Sequence, residues 1–589
     1  MGIGYTIDSP LKVAHLGMDS VISLVDDILL EKIRKMYSEK FQIPYKEITD
    51  KIDDFRAKRI TSYLNLINDL VDKKIEGLKS ITSEKRLELM EYLNMLPNSS
   101  TLIEEFKKLT TTNFNTANIK NWISTNLHKG SIDVNIMTKV DKDNYKNNEK
   151  LPVEYNDAHA AVRGFAKSDL ESSLILSAGM NPRLYGFLEE FDDFFPDENG
   201  LIKKKIVLKV SDYRSALIQG KYLAKKGIWV SEYRIESGLN CGGHAFATDG
   251  YLLGPILEEF KNNRTEMVQS IQEILIKVLS DKNRTIPKSQ LPIKITAQGG
   301  VGTSEEHQFL IDNYEVDSVG WGSPFLLVPE ATTVDNNTLN KLAEAKEDDL
   351  YLSYISPLGV AFNNLKGNTK DAEKFASIEK GRPGSVCTKK YVALNTEFSD
   401  KGACTASRQY QRSKIKELDA ENLSKDEYKT KFDKIVEKAC ICVGLGTSAL
   451  LAHDVETKSE GTGVAVCPGP NMAYFSKQMS LKEMTNHIYG RSNMLSGNYR
   501  PNMFIKELNI YLDYLKKQIE EAQTEMTKKQ EKYLQRFANN LNEGIQYYDG
   551  LFSNLKDKFN ETKSNILCEL EFSRKRLQTL KVRIDNQSD

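Results

Sequence analysis

Three strand-like runs in this chain end in glycine, one after another, and that repetition constrains the fold more than any other feature. Ile228-Trp229-Val230-Ser231-Glu232-Tyr233-Arg234-Ile235 leads into Gly238-Leu239-Asn240-Cys241-Gly242-Gly243-His244. Ile293-Lys294-Ile295-Thr296-Ala297 leads into Gln298-Gly299-Gly300-Val301, and Val316-Asp317-Ser318-Val319 into Gly320-Trp321-Gly322-Ser323. Glycine lets the main chain approach a flat or anionic ligand closely. His244 adds a ring that moves protons near neutral pH. Consecutive strand-then-glycine units predict one ligand held at the C-terminal ends of parallel strands.

Further runs extend the pattern upstream. Residues 11–16 read as a short buried strand ending in Gly17-Met18, and Val21-Ile22-Ser23-Leu24-Val25 as a second apolar run. Residues 132–137, 173–177 and 205–210 are short and rich in branched aliphatics, and helical stretches follow them, residues 212–226 among them. Such strands alternating with helices predict a parallel sheet buried on both faces. About eight strands fit between residues 11 and 325, the number of a closed (β/α)8 barrel of the TIM type. An open doubly wound sheet would carry its glycines after the first strand, whereas here they come late. The expected organisation is an α/β barrel over residues 1–340, with a large helical insertion at about 26–125, where Leu64, Leu66, Ile67, Leu70 and Val71 recur at helical spacing. An irregular, cysteine-containing extension follows over 341–500. Residues 501–589 read as a long helix or a helical hairpin, coiled-coil-like in the spacing of Leu508, Leu512, Leu515 and Ile519, with Tyr548-Asp549-Gly550 as the expected break. That stripe predicts either intramolecular packing or a homo-oligomer or protein partner.

Charge narrows the classes. Lys plus Arg number 81 and Asp plus Glu 82, so there is no electrostatic footprint for nucleic acid or a membrane surface. No stretch approaches ~20 consecutive apolar residues, and the first residues lack the basic flank and apolar run of a secretory signal. The expected location is cytoplasmic. The 7 cysteines are too sparse for a secreted disulfide scaffold. Cys440-Ile441-Cys442 with Cys404 and Cys467 could supply four thiolates to zinc or an iron–sulfur cluster, but Cys-x-Cys is an uncommon ligand pair. Core packing is the alternative, and Val443, Ala449 and Leu450 beside them favour it. Lys209, on a strand, has two readings: pointing into the barrel mouth or, as the expected case, facing the surface.

From Lys205 to Phe325 the chain resembles the nitronate monooxygenase family, formerly 2-nitropropane dioxygenases, whose barrel the flavin-dependent enoyl-carrier-protein reductases share. The family's glycine, two variable positions and Ala-Gly-Gly-His are matched by residues 238–244. Its Ala-Gly-Gly-Ile turn after the seventh strand is matched by Gln298-Gly299-Gly300-Val301, and its Gly-Thr-x-Phe after the eighth by Gly322-Ser323-Pro324-Phe325, with Glu330-Ala331 close behind. Gly17-Met18 looks like the turn after the first strand, and Asn135 like the strand asparagine that approaches the flavin.

The resemblance implies FMN. Its phosphate would take backbone N–H groups at Gly299, Gly300, Gly322 and Ser323, with Trp321 beside them. Gly242 and Gly243 would lie against the ring system, and His244 would be the acid or base beside flavin N5. It implies an FMN-dependent oxidoreductase acting on a small molecule, with enoyl-thioester reduction by NAD(P)H as one alternative and a non-catalytic scaffold as another. Three positions depart from the family: Ser237 replaces a glutamine, Asn240 an acidic residue and Cys241 an alanine.

Overall fold

The computed structural model describes residues 3–80, 86–112, 116–177, 179–495, 497, 499–522 and 526–586. Its centre is a parallel sheet of seven strands: β1 (Ser20–Ser23), β2 (Ile132–Met137), β3 (Ser173–Ser177), β4 (Lys205–Val210), β5 (Val230–Glu236), β6 (Lys294–Gln298) and β7 (Ser318–Gly320). Neighbours in sequence are neighbours in the sheet, and every pair is parallel. A chain wound this way keeps turning in one direction, and the sheet curls into a half-barrel.

The strand sequences alternate, and the alternation sorts the two faces. Val134, Leu174, Leu176, Ile206, Leu208, Tyr233, Ile235 and Ala297 are buried on the outer face. Full burial of one such aliphatic side chain contributes about 1.5–3 kcal/mol. On the inner face stand Ser23, Asp133, Asn135, Ser177, Lys209, Glu232, Arg234, Glu236, Thr296 and Gln298, all bordering one cavity. The expectation of strands apolar on both faces is therefore corrected: one face is apolar, and the other is polar and enclosed.

The strand count is seven rather than about eight, and among the described residues no ladder joins β7 to β1. The run at residues 11–16 is not a strand. Pro10 stands in the first turn of a short helix, Ser9–Val13, and a 3-10 turn, Ala14–Leu16, continues it. Proline fixes a helical φ and lacks the N–H that a first helical turn leaves unpaired anyway, so it favours this start. The two sheet edges are instead bridged by non-strand chain. Thr333 N donates to Tyr5 O at 2.8 Å. Ser9 Oγ donates to Ala331 O at 2.5 Å, and Lys12 Nζ to Thr332 O at 2.9 Å.

Between β1 and β2 the described residues make five helices, from Asp27–Lys40 to Thr116–Asn126. The longest of them, Phe55–Lys79, buries Leu64, Leu66, Ile67, Leu70 and Val71 on one side. After β7, an antiparallel hairpin of β8 (Leu350–Ser353) and β9 (Phe362–Leu365) and several helices fold back over the sheet. The described residues of the C-terminal region form three helices, α1 (Met503–Glu521), α2 (Lys528–Asn554) and α3 (Lys563–Asn586). Gly550 lies inside α2, not at a break. Its Cβ position is open, so it costs only the helix penalty of glycine, about 1 kcal/mol. A helix start lies instead at Thr527, where Thr527 and Gln530 form a capping box. The apolar stripe is spent within the molecule: Leu508, Leu512, Leu515 and Ile519 are buried, and Phe504 packs edge-on to Phe309 of helix Ser304–Tyr314. Among the described residues no single helix is long and apolar enough to cross a membrane.

Candidate functional site

The inner face of the sheet encloses a cavity of about 1240 Å³, bordered by residues of all seven strands. Its wall is charged, and part of that charge is paired. Lys209 Nζ lies 2.6 Å from Glu236 Oε2, and Gln298 Nε2 donates to Glu236 Oε1 at 2.9 Å. Arg234 Nε and Thr296 Oγ1 both donate to Glu232 Oε1, at 2.8 and 2.7 Å. Burial opposes the charge of Lys209, but the Glu236 carboxylate outweighs it and holds the ammonium above its ordinary pKa. Lys209 thus faces the cavity, not the surface. Register could have revealed it, since Ile206, Leu208 and Val210 alternate with it along β4.

The glycine turns stand at the C-terminal ends of β5, β6 and β7 and border this cavity together. They differ in what fills the space beside them. In the turn after β6, Gly299 and Gly300 have φ of +124° and +77°. A Cβ on Gly299 would lie 2.7 Å from Ser237 Cβ, and one on Gly300 2.0 Å from Asn240 Nδ2. The missing side chains let this turn pack on the turn after β5. Arg500 Nη2 donates to Gly300 O at 2.6 Å while the same guanidinium grips Glu306, so the peptide orientation is fixed from behind. After β7, by contrast, a Cβ on Gly322 would meet nothing within 4 Å. Among the described residues, no protein acceptor takes the N–H of Gly299, Gly300, Trp321, Gly322 or Ser323.

The long turn after β5 carries His244. Its Nε2 lies 2.7 Å from Ser356 Oγ, and its ring packs edge-on to Phe362 of β9 at 5.0 Å. Burial, then the charge of Lys209, lowers its pKa to about 4, so the ring is neutral at neutral pH. Cys241 in the same turn is buried, and burial followed by the Glu236 charge pushes its thiol well above the ordinary range, which leaves it an inert packing residue. Asn240 Oδ1 is buried with no hydrogen-bond partner, while its Nδ2 donates to Met503 O at 3.2 Å. Ser237 Oγ donates to Glu507 Oε1 of α1 at 2.5 Å.

The 341–500 extension covers this turn directly. Gly243 N donates to Cys467 O at 3.1 Å, Asn363 N to Gly243 O at 2.9 Å, and Ala245 N to Ala361 O at 2.9 Å. Asn363 Nδ2 donates to Cys241 O at 2.6 Å, and Gly469 N to Ser323 Oγ at 2.7 Å. A Cβ on Gly242 would lie 2.8 Å from Cys467 O, so that glycine serves the approach of the extension rather than of a ring. Trp321 Nε1 donates to His307 Nδ1 at 3.0 Å.

The remaining expected residues divide. Asn135 points into the cavity from β2. Gly17 and Met18 precede β1 instead of following it, so they stand at the opposite end of the sheet from the glycine turns. Cys467 belongs to the mouth and is not gathered with Cys404, Cys440 and Cys442. Cys404 and Cys440 neighbour Cys387, which the expected ligand set left out, and Cys442 neighbours Cys440. Among the described residues, no group of His, Cys, Asp or Glu side chains is arranged to hold a metal ion.

No protein-family model matches the chain. No curated protein matches it either. Among solved structures, it aligns with the enoyl reductase domain of MlnA from the macrolactin biosynthesis cluster of Bacillus amyloliquefaciens. That alignment covers 76% of this chain and 88% of the other, at 14% identity and a TM-score of 0.32. A likeness of that size carries no argument about function. The resemblance to nitronate monooxygenases therefore stands on the quoted motifs alone.

Proposed function

We propose that the protein is an FMN-dependent oxidoreductase that holds a small substrate, a nitronate or a similar anion, at the C-terminal mouth of the sheet. One observation carries this reading: two successive strand-end turns, after β6 and after β7, border one cavity with five backbone N–H groups that no acceptor among the described residues takes. A phosphate dianion needs several such donors and no side chain in its path. Asn240 Oδ1 adds an orphaned acceptor in the same wall, which a hydroxyl or imide N–H of the cofactor would satisfy. In the same reading the sheet is a (β/α)8-type barrel opened between β7 and β1, with residues 329–333 in place of the missing ladder.

Bound FMN would supply two-electron chemistry at its ring. The chain's own contribution is positioning and proton handling. Gly322 leaves room for the phosphate, and Arg500 fixes the Gly300 peptide. His244 is uncharged and can take a proton from substrate or return one, with Ser356 orienting the ring. Lys209 keeps a positive charge in the mouth through its bond to Glu236.

The decisive measurement is the absorption spectrum of the purified full-length protein over about 300–600 nm, with reconstitution by added FMN. Flavin bands, or tight binding of FMN followed by fluorescence quenching, are expected. A colourless protein that binds no FMN would remove the cofactor and leave the barrel as a scaffold for its extensions.

A further inference from the structure

The cavity runs the length of the half-barrel, and the function proposed above uses only its C-terminal mouth. Residues that begin the strands border it as well: Ser20 of β1, Ser173 of β3, Lys205 of β4, Lys294 of β6 and Ser318 of β7. Lys205, Lys294 and Ser318 are exposed, so the cavity also meets solvent at the N-terminal end of the sheet.

Strand register places two cations side by side between these ends. Lys209 and Arg234 are direct partners across β4 and β5, and both face inward. Like charges so placed repel, and β5 carries a glutamate two positions to either side of Arg234. The two cations part accordingly. Lys209 turns to Glu236 at the mouth, at 2.6 Å, and Arg234 turns to Glu232 below, at 2.8 Å. A strand rises about 3.3 Å per residue, so Glu232 stands about 13 Å along β5 from Glu236.

The lower pairing is incomplete. Arg234 gives Glu232 only its Nε–H, and the same Oε1 also accepts from Thr296 Oγ1 at 2.7 Å. Among the described residues no acceptor takes Arg234 Nη1 or Nη2. Arg34 shows the filled alternative: its Nε and Nη2 both donate to Glu31. Arg234 has strands on both sides of it, and its remaining side-chain exposure of 19% opens on the cavity. Two N–H donors fixed in one plane match the two oxygens of a carboxylate.

The surroundings set the charge of the guest. Lys205 and Lys294 stand on the strands that flank β5 at the open end, and among the described residues neither makes an ion pair. They draw an anion inward. Asp133 and Asp19 lie within electrostatic reach of Arg234 but form no salt bridge with it. Burial works against the charge of Asp133, whose carboxylate accepts from Ser131 Oγ and Ser173 N. With Glu232, these acids disfavour a dianion such as phosphate and leave room for a single negative charge.

We propose that the N-terminal half of the cavity is a second ligand site, for a small organic monocarboxylate gripped by both terminal nitrogens of Arg234. The site shares no residue with the glycine turns or His244, so it stands whether or not FMN binds at the mouth.

The test is isothermal titration of the full-length protein with acetate, butyrate and hexanoate, each beside its primary amide, and with inorganic phosphate. At least one acid should bind saturably, about tenfold or more tighter than its amide and tighter than phosphate. Arg234→Lys keeps the charge but loses the paired donors, and should weaken that acid by about tenfold or more. Lys205→Ala with Lys294→Ala changes only exposed side chains. It should weaken binding and flatten its dependence on salt. Added FMN should leave the affinity unchanged. Five outcomes would overturn the site: no saturable binding of any acid, equal binding of acid and amide, preference for phosphate, wild-type affinity in Arg234→Lys, or competition by FMN, which would move the acid to the mouth.

Discussion

The two glycine turns that close the mouth look alike in sequence and do opposite work in the structure. After β6, Gly299 and Gly300 surrender their side chains so that another turn of the protein can fit: Ser237 and Asn240 occupy the space. After β7, Gly322 surrenders its side chain to nothing in the protein at all. One vacancy is internal packing, and the other is open space, which the proposed function fills with the cofactor's phosphate. A glycine beside a strand is therefore ambiguous until the neighbour that its missing Cβ admits is known. The turn after β5 combines both kinds of work: its middle is pressed against the extension at Gly242, while His244 at its end faces the cavity.

The largest effect is expected at that end. His244→Ala should leave FMN content near the wild-type level and lower turnover by about 10²–10⁴-fold, measured by steady-state rates at saturating substrate. Because the ring is neutral above a pKa of about 4, wild-type turnover should hold steady down to about pH 5 and fall below it. Full activity in the variant would assign the turn wholly to packing.

Gly300→Ala probes the internal vacancy. The residue has φ of +77°, and its Cβ would lie 2.0 Å from Asn240 Nδ2. The left-handed backbone costs a non-glycine residue about 1–2 kcal/mol, and overpacking adds about 1–3. Denaturant unfolding should therefore show a loss of about 2–5 kcal/mol. Adding Asn240→Ala should return only the steric share and leave the backbone share. If Gly300→Ala proves as stable as wild type, the contrast between the two turns fails.

Much of this was legible in the sequence, and the failures have physical causes. The glycine turns and the late strands could be read because local backbone demands fix them. The polar inner face was also written in the chain, as Ile132-Asp133-Val134-Asn135-Ile136, but branched aliphatics alone were allowed to decide the pattern. Residues 11–16 misled because a short apolar run has no period of its own, and only Pro10 marks it as a helix start. What lies over the mouth was not legible at all. Asn363 reaches Cys241 across 122 positions, and Ser237 reaches Glu507 across 270. Contacts so distant leave no local signal. The cysteines show the same limit: the pair Cys440 and Cys442 was visible, but its partner Cys387 comes from a loop that only the fold brings near.

Glu507 ties α1 to the packed side of the mouth and offers a pH-dependent measure of it. Its carboxylate accepts from Ser237 Oγ at 2.5 Å and from Leu253 N at 2.9 Å. Burial raises its pKa from 4.5 to about 7 against these bonds, which favour the charge. The folded protein thus keeps this proton up to about pH 7, whereas the unfolded chain releases it near 4.5. Between those values the folded state binds the extra proton, so its stability falls as pH rises through the window. The fall amounts to about 3 kcal/mol or slightly more, and Glu507→Gln should flatten that part of the stability–pH curve. Parallel curves for the two proteins would place the titration elsewhere.

The smallest stability change is expected at the open vacancy, and it separates the two turns most cleanly. Gly322 has φ of −125°, a value that any residue adopts, and its Cβ would touch nothing. Gly322→Ala should therefore unfold within about 0.5 kcal/mol of wild type. If the phosphate approaches the N–H groups of Trp321, Gly322 and Ser323, the added methyl stands in its way, and FMN affinity should drop by about tenfold or more. Stability and affinity then move independently here, whereas at Gly300 they fall together because the turn itself is displaced. A Gly322→Ala protein that binds FMN as tightly as wild type would mean that the space beside β7 is only a gap.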